Sequence, residues 1–110
     1  MKGLIVYSHD MEDVESLATK ALLIRAGIDM HAGTFEDTLD IKTAFNQIVK
    51  ADCFINTSNI NTYDFIVIPG GKYVSQIIDK DVEIKNIATL FYNKKKLVAA
   101  ICAGPRFLGQ

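Results

Sequence analysis

A cysteine near the end of the chain has the surroundings of a nucleophile. Cys102 follows the apolar run 97–101 and comes just before Gly104 and Pro105. A sharp turn between a buried strand and a helix holds such a side chain exposed, and the helix N-terminus favours its thiolate form. A buried core cysteine is the alternative, because cysteine also behaves as a small apolar residue. Gly104 and Pro105 favour the interpretation of Cys102 as a nucleophile over that of a core residue.

A pair of glycines follows a second apolar strand. The run 64–68 stops at Pro69-Gly70-Gly71. Backbone N–H groups at Gly70 and Gly71 could point toward a developing oxyanion, although a tight strand exit is the structural alternative. Parallel strands end at one edge of their sheet, so we expect Gly71 to lie near Cys102.

A carboxyl group is predicted at the same edge. Glu15 lies beside the apolar stripe of a helix predicted over 11–26, shortly after the first strand. A carboxyl near a thiol could share its proton. The alternative is a solvated helix glutamate like Glu12, which the spacing alone favours slightly.

Two histidines and a second cysteine complete the candidates. A thiol–imidazole pair would need His9, which follows the first strand, or His31, in the second; we expect both to be ordinary surface or core residues. Cys53, beside Phe54, is expected to be structural. The two cysteines have no zinc-like spacing, and we expect no disulfide, metal or cofactor.

Alternating strands and helices must position these residues. Strands are predicted at 2–7, 28–32, 64–68 and 97–101, helices at 11–26 and 81–93, one or two helical turns at 73–78, and a short edge strand at 47–49. Strand–helix–strand succession requires parallel pairing. The sequence therefore predicts an α/β sandwich with a mostly parallel sheet and helices on both faces.

Composition narrows the class of protein. The 110 residues are 49% hydrophobic, which predicts one domain over 1–110 with a sizeable core. A net charge of −1, from 12 basic and 13 acidic residues, lacks the basic excess of nucleic-acid-binding proteins. The longest apolar runs fall far short of the ~20 residues of a membrane helix. With no secretory pattern after Met1, we expect a cytoplasmic protein without nucleic-acid or membrane partners.

The chain resembles the ThiJ/PfpI family in five segments, namely 3–6, 12–15, 25–28, 63–71 and 99–105. The second reads Glu-Asp-Val-Glu, and the last reads Ala-Ala-Ile-Cys-Ala-Gly-Pro. The resemblance implies a flavodoxin-like three-layer sandwich that is usually dimeric.

The resemblance also implies roles for individual residues. Cys102 would be the nucleophilic, oxidisable cysteine, and Glu15 the protonated carboxyl that hydrogen-bonds its thiolate. Gly71 and Ala103 would supply the N–H groups of an oxyanion hole. The neighbouring Gly70 and Gly104 would support that hole.

The implied function is action on small reactive carbonyls, of the glyoxalase or deglycase type. A redox-sensing stress protein or chaperone is the non-enzymatic alternative. A peptidase is less favoured because Ala103 stands where peptidase-type members have a histidine. A glutamine amidotransferase ranks last, since it expects glycine where Ala100 lies.

The resemblance covers about the first half of the family's domain. Its distal histidine would lie beyond Gln110. A central strand at 97–101 needs both edges paired and both faces covered. We therefore expect the natural polypeptide to continue past Gln110, or a second chain to complete the sheet.

Overall fold

A five-stranded parallel sheet forms the centre of the computed structural model, which describes residues 1–56, 60–71 and 83–100. The strands in the described ranges are β1 (Lys2–Tyr7), β2 (Asp29–Thr34), β3 (Asp40–Lys42), β4 (Ile48–Lys50), β5 (Cys53–Phe54), β6 (Phe65–Ile68) and β7 (Leu97–Ala100). The sheet has the order β5-β2-β1-β6-β7, with every neighbouring pair parallel. Strands β3 and β4 form a separate antiparallel pair.

Helices connect two of the parallel pairs, β1 to β2 and β6 to β7. Between β1 and β2, a π-helical segment (Val14–Ala18) continues directly into α1 (Thr19–Arg25). Gly27 follows with a φ of +90°, a conformation that ends helices at little cost only when the residue is glycine. Between β6 and β7 lies α2 (Glu83–Asn93), and a 3-10 turn (Ile60–Thr62) precedes β6.

The helices cover both faces of the sheet. Phe65 and Val67 of β6 line a cleft of about 320 Å³ together with Thr19 and Leu23 of α1. Side chains alternate along a strand, so the residues between them face the other side. There α2, which contacts both β6 and β7, buries its own apolar stripe of Ile84, Ile87, Ala88 and Phe91. The predicted α/β class with a mostly parallel sheet is confirmed.

The core consists mainly of strand residues. Ile5 of β1 and Ile66 and Ile68 of β6 have no exposed surface. Strands buried on both faces need continuous apolar runs, which is the pattern these segments show in the sequence. Fully burying one such side chain stabilises the folded state by about 1.5–3 kcal/mol.

The predicted apolar stripe of the first helix is correctly located but only partly buried. Leu17 packs against the core, whereas the rest of the stripe faces outward. Val14 is 70% exposed and Leu22 60%, and no residue of α1 is buried. The helix instead turns Ser16 inward, where the Ser16 hydroxyl donates to the backbone oxygen of Glu12. Periodicity identifies an apolar face but does not determine what that face packs against.

The predicted edge strand at 47–49 is a strand, but it does not lie in the main sheet. It corresponds to β4, paired with β3 as a hairpin, while the edge of the main sheet is β5. Antiparallel strands need only a short turn, and Asn46 supplies it with a φ of 64°. At the other edge, Leu97 of β7 is 66% exposed. The helical turns predicted at 73–78 lie outside the described residues.

Candidate functional site

The carboxyl ends of β1 and β6 are joined directly by backbone contacts. The Glu12 N–H donates to the Gly70 carbonyl oxygen at 3.0 Å. Met11 and Gly71 form an isolated antiparallel bridge. Two of the three sites predicted at this edge, the glycine pair and the start of the helix that carries Glu15, are thus brought together.

The Glu15 carboxyl is fixed on the same strand exit. Its Oε1 accepts a hydrogen bond from the Gly70 N–H at 3.0 Å, in a half-buried position. Among the described residues, none donates to Oε2. The backbone thus holds one oxygen of the Glu15 carboxyl in a fixed place.

The backbone around Glu15 has an unusual form. The Glu15 N–H donates to Oε2 of Glu12 at 2.8 Å, which caps the start of the helix. The segment that follows is π-helical, a form that is rare and often occurs at functional sites. The sequence analysis treated Glu12 as solvated and missed both features.

Gly71 occupies a position that only glycine fits. Its φ is +134°, and a Cβ there would lie 2.5 Å from the Glu12 nitrogen and 2.6 Å from the Asp10 oxygen. Both contacts are with backbone atoms, which cannot turn aside as a side chain can. Within the described ranges, no residue accepts a hydrogen bond from the Gly71 N–H. That group is therefore chemically suited to binding an anionic oxygen.

The histidines are engaged elsewhere. His9 accepts a hydrogen bond from the Lys42 N–H at its Nδ1 (3.2 Å), and its Nε2 lies 3.9 Å from the Glu36 carboxyl. His31 places Nε2 3.1 Å from Asp29 Oδ1. Neither ring has a hydrogen bond to Glu15 or to the glycine pair.

Cys53 lies at the edge of the sheet in β5. Its sulfur is 4.0 Å from the Ala32 carbonyl oxygen and 3.9 Å from the Tyr63 hydroxyl, and the thiol is free. Burial raises the pKa of Tyr63 above its usual range, and the neighbouring Cys53 adds to the rise. Cys53 thus packs against neighbouring residues at the edge of the sheet.

An ion pair ties α1 to the same edge. The Asp52 carboxylate accepts from the Ala32 N–H at 2.7 Å and from Lys20 Nζ at 2.9 Å. Burial alone would raise the pKa of Asp52, but the hydrogen bonds from Ala32 and Lys20 outweigh it and hold the pKa below its ordinary value.

Three of the predicted site residues lie outside the described residues, namely Cys102, Ala103 and Gly104. The structure brings Glu15, Gly70 and Gly71 together. In the described ranges, no group of three or more His, Cys, Asp or Glu side chains is placed to hold a metal ion. No helix in these ranges is long and apolar enough to cross a bilayer.

Comparison with known proteins gives matches along the whole chain. The model of the DJ-1/PfpI family matches residues 1–110. Deglycase PH1704 of Pyrococcus horikoshii is 29% identical over 109 residues, which cover 98% of this chain. The glutathione-independent glyoxalase DJR-1.2 of Caenorhabditis elegans is 29% identical over 106 residues, or 96% of this chain.

A solved structure agrees with these matches. The structure of oxidized Toxoplasma gondii DJ-1 is 34% identical and superimposes with a TM-score of 0.82 over 94% of this chain and 56% of that one. The likeness confirms the predicted flavodoxin-like sandwich. The chain spans 64% of the archaeal relative and 55% of the nematode relative.

Proposed function

Because the chain belongs to the DJ-1/PfpI family, we propose that it acts on small reactive carbonyl compounds through Cys102, as a glyoxalase or deglycase. Two relatives named for these activities match nearly its full length. The observation that carries the proposal is the hydrogen bond between Glu15 Oε1 and the Gly70 N–H. It fixes an acid–base group at the strand edge where the cysteine is expected.

The first chemical step is addition of the cysteine sulfur to the carbonyl carbon. The Cys102 thiol gives its proton to Oε2 of Glu15, and the sulfur forms a bond with the carbonyl carbon. The carbonyl π electrons move to oxygen, and Glu15 returns the proton there to give a hemithioacetal. General acid–base assistance of this kind contributes typically 10²–10⁴-fold to a rate.

The backbone supplies the oxyanion site. The Gly71 N–H, together with that of Ala103, would stabilise the negative oxygen formed in the addition step. Gly70 and Gly104 would support this site, because glycine has no side chain to block the backbone N–H groups. No metal or cofactor has a part in the step.

Methylglyoxal is the substrate with which to test the activity. The wild-type protein is expected to consume it, and Cys102→Ala to lose that activity while keeping the wild-type circular dichroism spectrum. Cys53→Ala is the matched control, because it removes the other thiol and should retain the rate. Wild-type turnover by Cys102→Ala would refute the proposed nucleophile.

A redox function is the second candidate, favoured by the match to a DJ-1 structure in oxidized form. In this case Cys102 is oxidised by peroxide to a sulfinic acid, which adds two oxygens, and the protein is a stress sensor or chaperone. Peroxide titration with peptide mass spectrometry separates the candidates. A sensor gains two oxygens at Cys102 and does not consume methylglyoxal.

Besides a small carbonyl compound, we propose a second copy of the chain as partner. The stripe of Val14, Ala18, Ala21 and Leu22 is exposed on one side of the first helix. An apolar stripe of this kind suits a symmetric contact between identical surfaces.

The free thiol of Cys53 supports a further proposal, that the protein acts in the reducing cytoplasm.

A further inference from the structure

A buried carboxylate lies at the start of the helix that holds Glu15, and the proposed reaction does not use it. Asp13 is 5% exposed. Its Oδ2 accepts hydrogen bonds from Thr43 Oγ1 at 2.5 Å and from Gln47 Nε2 at 2.8 Å. Its Oδ1 accepts from the Phe45 N–H at 3.1 Å. An ionised carboxylate only accepts hydrogen bonds, so it matches these donors completely.

The three donors belong to one loop, residues 43–47, which we call the hairpin loop because it joins β3 to β4. The Thr43 N–H donates to the Gln47 carbonyl oxygen at 2.8 Å, and the Gln47 N–H donates to Thr43 Oγ1 at 3.0 Å. The loop therefore closes on itself around the Asp13 carboxylate. Hydrogen bonds to a charged group contribute more to stability than bonds between neutral groups.

The hairpin also contacts the backbone just before Asp13. The Ala44 N–H donates to the Met11 carbonyl oxygen at 2.9 Å, and the Asp10 N–H donates to the Lys42 carbonyl oxygen at 2.8 Å. On its other side, the segment 10–13 is bonded to the glycine pair through Glu12 and Met11. Residues 10–13 are thus held between the hairpin loop and the exit of β6.

We propose that Asp13 is a positioning residue, which fastens the hairpin loop to the start of the π-helical segment and so holds the Glu15 carboxyl on the Gly70 N–H. The proposal rests on the proposed function for the role of Glu15, but its geometric part concerns Asp13, Glu15 and Gly70 alone. Glu15 is two residues beyond Asp13 on the same helical start, so a shift of one displaces the other.

Exchanging one atom of this network provides a test. Asp13→Asn replaces one carboxylate oxygen with an NH₂ group. Gln47 Nε2, which donates to Oδ2 in the wild type, then faces a second donor. Adding Gln47→Glu restores a donor–acceptor pair with the roles exchanged. Asp52→Asn is the matched control, because it makes the same change in a carboxylate that also accepts a backbone N–H and a side-chain donor, at the other edge of the sheet.

Two measurements separate position from chemistry. The first is the chemical shift of the Gly70 amide proton, which reports the hydrogen bond to Glu15 directly. The second is the rate at which iodoacetamide alkylates Cys102, which reports the effect of Glu15 on the thiol. For Asp13→Asn we expect the Gly70 resonance to move toward its position in Glu15→Ala and the alkylation rate to change about tenfold from wild type. The double variant should return both to within about twofold of wild type, and Asp52→Asn should move neither.

The proposal is overturned if Asp13→Asn keeps the wild-type Gly70 shift, or if the double variant does not restore it. Should Asp13→Asn fail to fold, Gln47→Ala serves instead, because it removes one donor at an exposed residue; the Gly70 shift must then move in the same direction by a smaller amount. A Gly70 shift that moves while Glu15→Gln leaves the alkylation rate unchanged supports the positioning by Asp13 and refutes the role of Glu15.

Discussion

The Gly70 N–H donates a hydrogen bond to Glu15 Oε1 at 3.0 Å, across 55 positions of sequence. This single contact joins the first turn after β1 to the exit of β6. It gives a carboxyl group a fixed place beside a strand end, where ligands of open α/β sheets bind. The expected effects of changing the site follow from it.

Replacing Glu15 should separate its structural and chemical parts. Glu15→Gln keeps an oxygen that can accept a hydrogen bond from the Gly70 N–H. Its free energy of unfolding should therefore stay within about 0.5 kcal/mol of wild type, as for most substitutions that disturb no buried contact. Glu15→Ala removes the acceptor and should cost about 1–3 kcal/mol by leaving the buried N–H unpaired. Urea denaturation measures both values. Equal stability of the two variants would show that the contact contributes nothing to the fold.

Gly71→Ala should be among the most damaging small changes in the chain. The added Cβ would meet backbone atoms of Glu12 and Asp10 at 2.5 and 2.6 Å, so the joined strand ends must separate. We expect a loss of at least about 3 kcal/mol, combining positive-φ strain with the clash.

Gly27→Ala is the control for that substitution. Gly27 also has a positive φ, +90°, but nothing lies within 4 Å of its Cβ position. Its loss should be only about 1 kcal/mol, from backbone strain alone. Calorimetry gives the free energy of unfolding of both variants. Equal decreases would mean that the close approach at Gly71 has no energetic effect.

The ion pair at Asp52 should make stability depend on pH. The folded-state pKa of Asp52 is lowered, so its contribution is fully present above the unfolded-state pKa and is lost as the pH falls through the folded-state value. The stability difference between wild type and Asp52→Asn should thus be constant at neutral pH and shrink below about pH 4. Because the Asp52 side chain is 45% exposed, solvent screening limits the ion pair to about 1 kcal/mol or less.

Lys20→Met provides the companion measurement for Asp52. It removes the cationic partner and should lower stability by a similar amount above pH 5, with the difference again shrinking in acid. Denaturant titrations between pH 3 and pH 7 would reveal it. A difference from wild type that grows as the pH falls would contradict the assigned direction of the Asp52 pKa.

The exposed stripe on the first helix should govern self-association. Leu22→Asp places a charge in the middle of an apolar surface, and burying an unpaired charge is costly. We expect it to lower the fraction of dimer at least tenfold in sedimentation equilibrium. Tyr92→Asp, at a residue 74% exposed on α2, is the control and should leave the dimer unchanged. A wild-type protein that is monomeric at all concentrations tested would exclude the second copy as partner.

The elements with continuous apolar runs could be predicted from sequence. The first strand occupies 2–7 as predicted, and the run 64–68 contains β6, because buried parallel strands leave little freedom in residue choice. The hairpin of β3 and β4 was only half recognised. Its strands have three residues each and are held by contacts with residues 10–13, which no local pattern encodes.

The site was predictable to a similar extent. The glycine pair could be singled out by residue type and by its place at a strand end. Glu15 was favoured only through the family resemblance, because its spacing alone slightly favoured a solvated glutamate. The contacts of Asp13 could not be predicted, because its carboxylate has partners 30 to 34 positions away, in a loop with no regular pattern. The π-helical turn was equally hidden, since it is a feature of the backbone rather than of residue periodicity.

In the proposed reaction the Glu15 carboxyl, fixed on Gly70, accepts the proton of the reacting thiol and returns it to the substrate oxygen. The most direct test is kcat/KM for methylglyoxal in wild type and Glu15→Gln, measured at one pH on protein shown to be folded. We expect Glu15→Gln to lower kcat/KM at least about 100-fold, the lower end of general acid–base contributions. A kcat/KM equal to that of wild type would contradict it.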